Sequence, residues 1–131
     1  MTVVELLQLA KRLRDPEKGC PWDLKQDFNS FKKCLVEEAN EVVQAIDKQD
    51  WENLKEELGD TLFNLLFLTN LAEEKNLFTL TDVVDGIYQK MIQRHPHVFG
   101  DQKASNAQEA YDLFQKAKKE SAVALNKERR I

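Results

Sequence analysis

The chain has 131 residues, 42% of them hydrophobic, and a net charge of −4. That size fits one domain with a small core, and the acidic balance lacks the basic excess of a protein that coats nucleic acid. Two cysteines, Cys20 and Cys34, are too few for a disulfide framework, and no Cys-x-x-Cys pair offers a zinc knuckle.

Met1 to Glu5 has no basic start ahead of a long apolar run, so no signal peptide is expected. A first helix is predicted from about Val3 to Arg14, with Val3, Leu6, Leu7, Ala10 and Leu13 on one side. The segment Asp15 to Asp23 is predicted as a loop, because two prolines and a glycine interrupt helices. A second helix is expected from about Phe28 to Lys48, with Phe31, Leu35, Val42, Ala45 and Ile46 as its apolar side. Cys34 falls within it and reads as a small buried hydrophobe.

Asp50 looks like an N-cap for a third helix from Trp51 to about Lys75. The second half of that helix is apolar on nearly all sides, through Leu62, Phe63, Leu65, Leu66, Phe67, Leu68 and Leu71. A helix apolar all round is buried all round, which one small domain struggles to achieve. A homodimer or higher homo-oligomer is therefore expected. The same stretch is broken by Asn64, Thr69 and Asn70 and is too short to span a bilayer, so the expected location is the cytoplasm.

A fourth helix is predicted from near Thr81, with Thr79-x-x-Asp82 as a capping box, to Arg94 and His95, where Pro96 stops it. A loop from His95 to Ser105 follows. Ser105-x-x-Gln108 reads as a second capping box for a last helix to about Leu125, with a fraying charged tail beyond. Strand signals do not occur. The fold class expected is all-α, with antiparallel helices forming a four-helix-bundle-like core completed by oligomerisation. The whole chain, 1–131, is expected to be one domain with its core over about 5–120.

The informative pattern is acidic. The second helix carries Glu37, Glu38 and Glu41, and the third carries Glu56, Glu57 and Asp60. Glu38 and Glu41 are three apart and share a helix face, as do Glu57 and Asp60. Asn53 and Asn64 extend the second stripe by a turn each way. Antiparallel helices joined by a short turn lie side by side, so the two pairs can converge.

A solvated acidic face uses the same residues, since glutamate is a good helix former. Two details favour convergence. Gly59 sits inside a helix, where glycine costs about 1 kcal/mol relative to alanine, as if something approached the backbone there. Asp60 opens directly into the apolar run, so its stripe is expected to face inward. Converging carboxylates about 4 Å apart repel by roughly 4 kcal/mol at an effective dielectric near 20. A divalent cation removes that repulsion. All-oxygen ligation suits Mg²⁺, with Mn²⁺ as the alternative, and Mg²⁺ shares its shell readily with substrate phosphates.

Lys90 and Arg94 stand four apart on one face of the fourth helix. They can hold phosphates or complement the dipole of a helix C-terminus. His95 and His97 make a poor zinc set and are expected to fix their loop by hydrogen bonds.

These residues resemble the MazG-type nucleoside triphosphate pyrophosphohydrolases. Glu38-x-x-Glu41 followed by Glu57-x-x-Asp60 is similar to the metal-binding signature of that family. Arg12-Leu13-Arg14-Asp15-Pro16 with Gly19-Cys20-Pro21-Trp22-Asp23-x-x-Gln26 resembles its opening. Glu56-Glu57-Leu58-Gly59-Asp60 and Arg94-His95-Pro96-His97-Val98-Phe99-Gly100-Asp101 resemble its later blocks.

The resemblance implies helix pairs from two subunits forming four-helix bundles. It implies hydrolysis of a nucleoside triphosphate (NTP or dNTP) to the monophosphate and pyrophosphate, a housecleaning activity on the nucleotide pool. It implies Mg²⁺ on Glu38, Glu41, Glu57 and Asp60. Glu37 or Glu38 would orient the attacking water, and Lys90 and Arg94 would contact the triphosphate. Lys118 resembles the lysine of the family's Trp-x-x-x-Lys element, with Phe114 in the tryptophan place. Asn53 stands where some members carry a basic residue.

Two rival readings remain at the level of sequence. A di-iron carboxylate bundle needs Glu-x-x-His pairs, and neither histidine follows a glutamate at that spacing. A helical dimer acting as a non-catalytic nucleotide-binding or regulatory module would keep the core without converging carboxylates.

Overall fold

A computed structural model describes residues 1–129, with side chains through residue 122. Among the described residues every regular element is a helix. These are α1 (Val3–Leu13), α2 (Pro21–Leu24), α3 (Phe28–Asp47), α4 (Trp51–Glu74), α5 (Leu80–Arg94), α6 (Pro96–Phe99) and α7 (Ala107–Arg129). They fall into two compact units, Met1–Leu80 and Thr81–Ile131.

The first unit is built on α4, which packs against both α3 and α1. Its caps explain where the helices begin. Asp27 accepts from the Ser30 amide while the Ser30 hydroxyl accepts from the Asp27 amide, a reciprocal capping box for α3. Asp50 accepts from the Asn53 amide and opens α4, as its sequence suggests. Between the two helices Gln49 takes a left-handed conformation with φ of 53°. That reverses the chain within three residues.

Ala10, Phe31, Phe67 and Leu71 form the core, with Phe28, Phe63 and Leu68 packed against it. The Phe31 and Phe67 rings stack at 3.8 Å between centroids. The segment after α1 is fastened by Arg14. Its Nη1 donates to the carbonyls of Asp23, Leu24 and Gln26, while Nε and Nη2 grip both carboxylate oxygens of Glu74 on α4. Gly19 is required in this segment, because a Cβ there would stand 2.4 Å from the Leu13 carbonyl oxygen and 2.5 Å from that of Asp15.

The second unit comprises most of α5 with α6 and α7, and α6 packs on α7. The cap of α7 differs from the expected Ser105-x-x-Gln108 box. Asn106 accepts from the Glu109 amide, and the Glu109 carboxylate accepts from the Ser105 amide and hydroxyl. Gln108 instead donates to Asp112. The cap lies one residue later than expected because asparagine reaches the third amide of the helix. The last helix continues to Arg129 rather than ending near Leu125, and the end of the expected tail, residues 130 and 131, lies outside the described residues.

The expectation that α4 is buried on every side does not hold within this chain. Leu66, Phe67 and Leu71 are buried, but Leu58, Leu62 and Leu65 are 51%, 39% and 47% exposed. The hairpin partner α3 and the first helix cover one stripe, leaving the other open. Nor is Gly59 crowded among the described residues: apart from its chain neighbours and the backbone of its own helix turn, nothing lies within 4 Å of the place its Cβ would occupy. Both cysteines are free and half-buried. No helix of the described residues is long and apolar enough to cross a membrane.

Candidate metal centre and its surroundings

The α3–α4 hairpin sets the register of the site. Counted from Gln49, Glu41 and Glu57 each lie eight residues away, and Glu38 and Asp60 each lie eleven. Two antiparallel helices reversed at that residue therefore bring these pairs level. Glu38, Glu41 and Glu57 do meet, each offering an oxygen within 4.8 Å of the others. Asp60 lies outside this group of three and is exposed, contrary to the inward direction expected of it. Its side chain is a methylene shorter than that of glutamate. Its negative charge still helps to raise the pKa of Glu38.

The electrostatics of the three carboxyls are those of crowded like charges. The Glu57 carboxyl is pushed up to about 7. The largest cause is a hydrogen bond with Glu41, followed by burial, then by the hydrogen bond with Glu38 and the charges of both neighbours. Glu38 is raised chiefly by burial, with the charges of Glu41 and Asp60 acting the same way and a hydrogen bond with Glu57 opposing them.

Two oxygens in the cluster, Oε2 of Glu38 and Oε2 of Glu57, are buried with no hydrogen-bond partner among the described residues. Buried oxygens are ordinarily matched. An all-carboxylate set with unmatched inward oxygens is compatible with a hard divalent cation, which accepts such ligands from several sides at once. Glu37 lies outside the group of three and is exposed, as is Glu56. Asn64, one turn beyond Asp60 on α4, is buried and donates from Nδ2 to the Asp60 carbonyl at 2.8 Å.

The cationic candidates belong to the second unit. Lys90 is exposed on α5, and Lys118 is exposed on α7. Arg94, the last residue of α5, is half-buried, with its guanidinium carbon 5.6 Å from the centre of the Phe114 ring. His95 behaves as expected of a loop-fixing residue. Its Nδ1 donates to the Met91 carbonyl at 2.6 Å, and its ring meets Phe114 edge-on at 5.4 Å. The His97 ring lies 5.6 Å from that of His95, and its Nδ1 is buried without a partner.

The MazG nucleotide pyrophosphohydrolase domain matches residues 26–99 of this chain. The chain belongs to the MazG family. It is 42% identical over 115 residues to a nucleoside triphosphate pyrophosphohydrolase of Escherichia coli (strain K12), a match that covers 88% of this chain and 44% of that protein. It is likewise 42% identical over 120 residues to the nucleoside triphosphate pyrophosphohydrolase/pyrophosphatase MazG of Thermotoga maritima, covering 90% of this chain and 47% of that one. The chain thus spans about half the length of these curated relatives. Its fold is similar to the crystal structure of a mazG-related protein from Thermotoga maritima. The TM-score is 0.73 at 30% identity, over 88% of this chain and 98% of that one.

Two residues of this MazG domain make contacts that the sequence does not signal. Arg14 holds three backbone carbonyls and a carboxylate. Phe114, in the place of the family's tryptophan, touches both Arg94 and His95. Neither contact has a spacing signal, because the partners are far apart in the chain.

Proposed function

We propose that this MazG domain is a Mg²⁺-dependent nucleoside triphosphate pyrophosphohydrolase. The observation that carries the reading is the meeting of Glu38, Glu41 and Glu57 with two buried oxygens unmatched. Glu38, Glu41 and Glu57 each offer an oxygen within 4.8 Å of the others, so together they would hold a hard divalent cation that takes oxygen ligands. Asp60, whose charge already reaches Glu38, would complete the set. Mn²⁺ fits the same donors.

When bound, the ion supplies positive charge to the phosphate oxygens and to the departing pyrophosphate. Glu38, or the neighbouring Glu37, orients a water toward the α-phosphorus and takes its proton. A new bond from the water oxygen to the α-phosphorus forms as the bond to the α–β bridging oxygen breaks. The pyrophosphate leaves with that electron pair, and the nucleoside monophosphate remains. Lys90 and Arg94 stabilise the charge on the phosphate oxygens, and Lys118 contributes a further substrate contact. These last three roles rest on the family resemblance.

The exposed stripe Leu58, Leu62 and Leu65 on α4, together with Val36 and Val43 on α3, supports a homodimer or higher homo-oligomer formed across this face. A patch of that kind on one chain marks an association surface. Free nucleoside triphosphates as substrates fit a cytoplasmic role in clearing the nucleotide pool.

The test is direct. Purified protein incubated with mixed nucleoside triphosphates and Mg²⁺ should release pyrophosphate and nucleoside monophosphates, and EDTA should abolish the release. Release of inorganic phosphate instead, or no turnover with any of the triphosphates, would overturn the reading and favour a non-catalytic binding module.

A further inference from the structure

Arg94 and Phe114 come from different helices, α5 and α7, and meet face to charge. The guanidinium carbon stands 5.6 Å from the ring centre, within the range where an aromatic face attracts a cation. Among the described residues the Nε of Arg94 is buried with no hydrogen-bond partner. The guanidinium faces an aromatic ring, which leaves its charge in place where a carboxylate would neutralise it.

The same ring receives His95 edge-on at 5.4 Å. His95 is in turn pinned to the Met91 carbonyl through Nδ1. Phe114 thus fixes the end of α5 from outside that helix, at the residue where Pro96 forces the chain to turn. Arginine carries several rotatable bonds, and holding it in one geometry before substrate arrives removes an ordering cost from binding.

We infer that Phe114 is a positioning residue that holds the Arg94 guanidinium, through its ring face, in readiness for a substrate phosphate. It leaves the charge intact, where a carboxylate in the same place would compete with the substrate anion. This inference rests on the proposed role of Arg94 toward the triphosphate. It assigns Phe114 a function inside its own unit instead of a contact with the nucleotide base.

The test is a double-mutant cycle on the full chain, read by pyrophosphate release with Mg²⁺ and a saturable nucleoside triphosphate. Phe114→Leu keeps apolar volume and loses the ring, whereas Phe114→Tyr keeps the ring. Phe114→Leu should lower kcat/KM about fivefold, and Phe114→Tyr should stay within about twofold of the wild type. In an Arg94→Ala background, Phe114→Leu should change kcat/KM by less than about twofold, since the group it positions has gone. Helical circular dichroism and thermal unfolding of each variant identify any that fail to fold. If Phe114→Leu unfolds the protein, Phe114→Met read in the same cycle replaces it.

If Arg94→Ala leaves kcat/KM unchanged, the proposed phosphate contact is wrong and the inference falls with it. If Arg94→Ala is impaired but Phe114→Leu acts equally in both backgrounds, or Phe114→Tyr is as poor as Phe114→Leu, the contact stands and the positioning role is refuted.

Discussion

Phe31 on α3 and Phe67 on α4 stack with ring planes 8° apart, and each lies eighteen residues from Gln49. The register that stacks them is the register that levels Glu41 with Glu57. Core and site are thus two readings of one hairpin. Both rings are buried, Phe67 completely. Replacing either with alanine should destabilise the fold by about 3–5 kcal/mol, measured by urea or thermal unfolding. A loss under about 1 kcal/mol at both positions would contradict the packing described.

The carboxylates should trade stability for function. Glu38→Ala and Asp60→Ala should lower turnover at least about a hundredfold, the scale of losing one preorganised electrostatic group, while helical content is kept. In the ion-free protein, removing a crowded carboxyl should not lower the unfolding temperature, because like charges repel. Pyrophosphate release and circular dichroism on the same samples check both halves. Full turnover in either variant would remove that residue from the site.

The raised carboxyl of Glu57 gives a pH dependence of definite sign. Its ordinary value is 4.5, and its neighbours push it up to about 7. The proton bound in the folded state contributes stability that is complete below about 4.5 and is lost as pH rises through about 7. In EDTA the unfolding temperature should therefore fall between pH 5 and pH 8 by more in the wild type than in Glu57→Gln. Divalent-ion binding displaces the same proton, so the stabilisation by Mg²⁺ should grow over that window. An equal pH response in wild type and Glu57→Gln would contradict the crowding of these carboxyls.

Arg14 should be intolerant of even a conservative change. Lysine keeps the charge but cannot serve three carbonyls and both oxygens of Glu74 together. Arg14→Lys should lower stability by about 2–3 kcal/mol, the scale of losing hydrogen bonds to a charged group. Unfolding by urea measures it, and a variant as stable as the wild type would show the clamp to be dispensable.

The open leucine stripe predicts association. Leu62→Glu, placed in its middle, should shift the protein toward the monomer in sedimentation at micromolar concentration without loss of helix. A wild type that is already monomeric there would count against the proposed oligomer.

Much of this was legible before the structure. Asp50 announced α4 because a carboxylate ahead of a periodic apolar run caps its amides, and the stripes on the two long helices include Glu38, Glu41 and Glu57, which the structure brings together. What escaped had physical causes. Pro96 does stop α5 after Arg94, but the segments Asp15 to Asp23 and His95 to Ser105, expected as loops, hold the short helices α2 and α6, which Pro21 and Pro96 open. Proline suits the first helical position, where its missing amide hydrogen is not needed. The exposure of Asp60 depends on how α1 and α3 share the faces of α4, which spacing along one helix does not encode. The grip of Phe114 on Arg94 joins residues twenty apart and exists only through tertiary packing.

A titration with Mn²⁺, followed by the loss of the free-ion electron paramagnetic resonance signal, probes the central claim most directly. The wild type should bind Mn²⁺ in a manner reversed by excess Mg²⁺, and Glu38→Ala and Glu57→Ala should each lose that binding while remaining helical. Undiminished Mn²⁺ binding in both folded variants would show that these glutamates do not hold the ion.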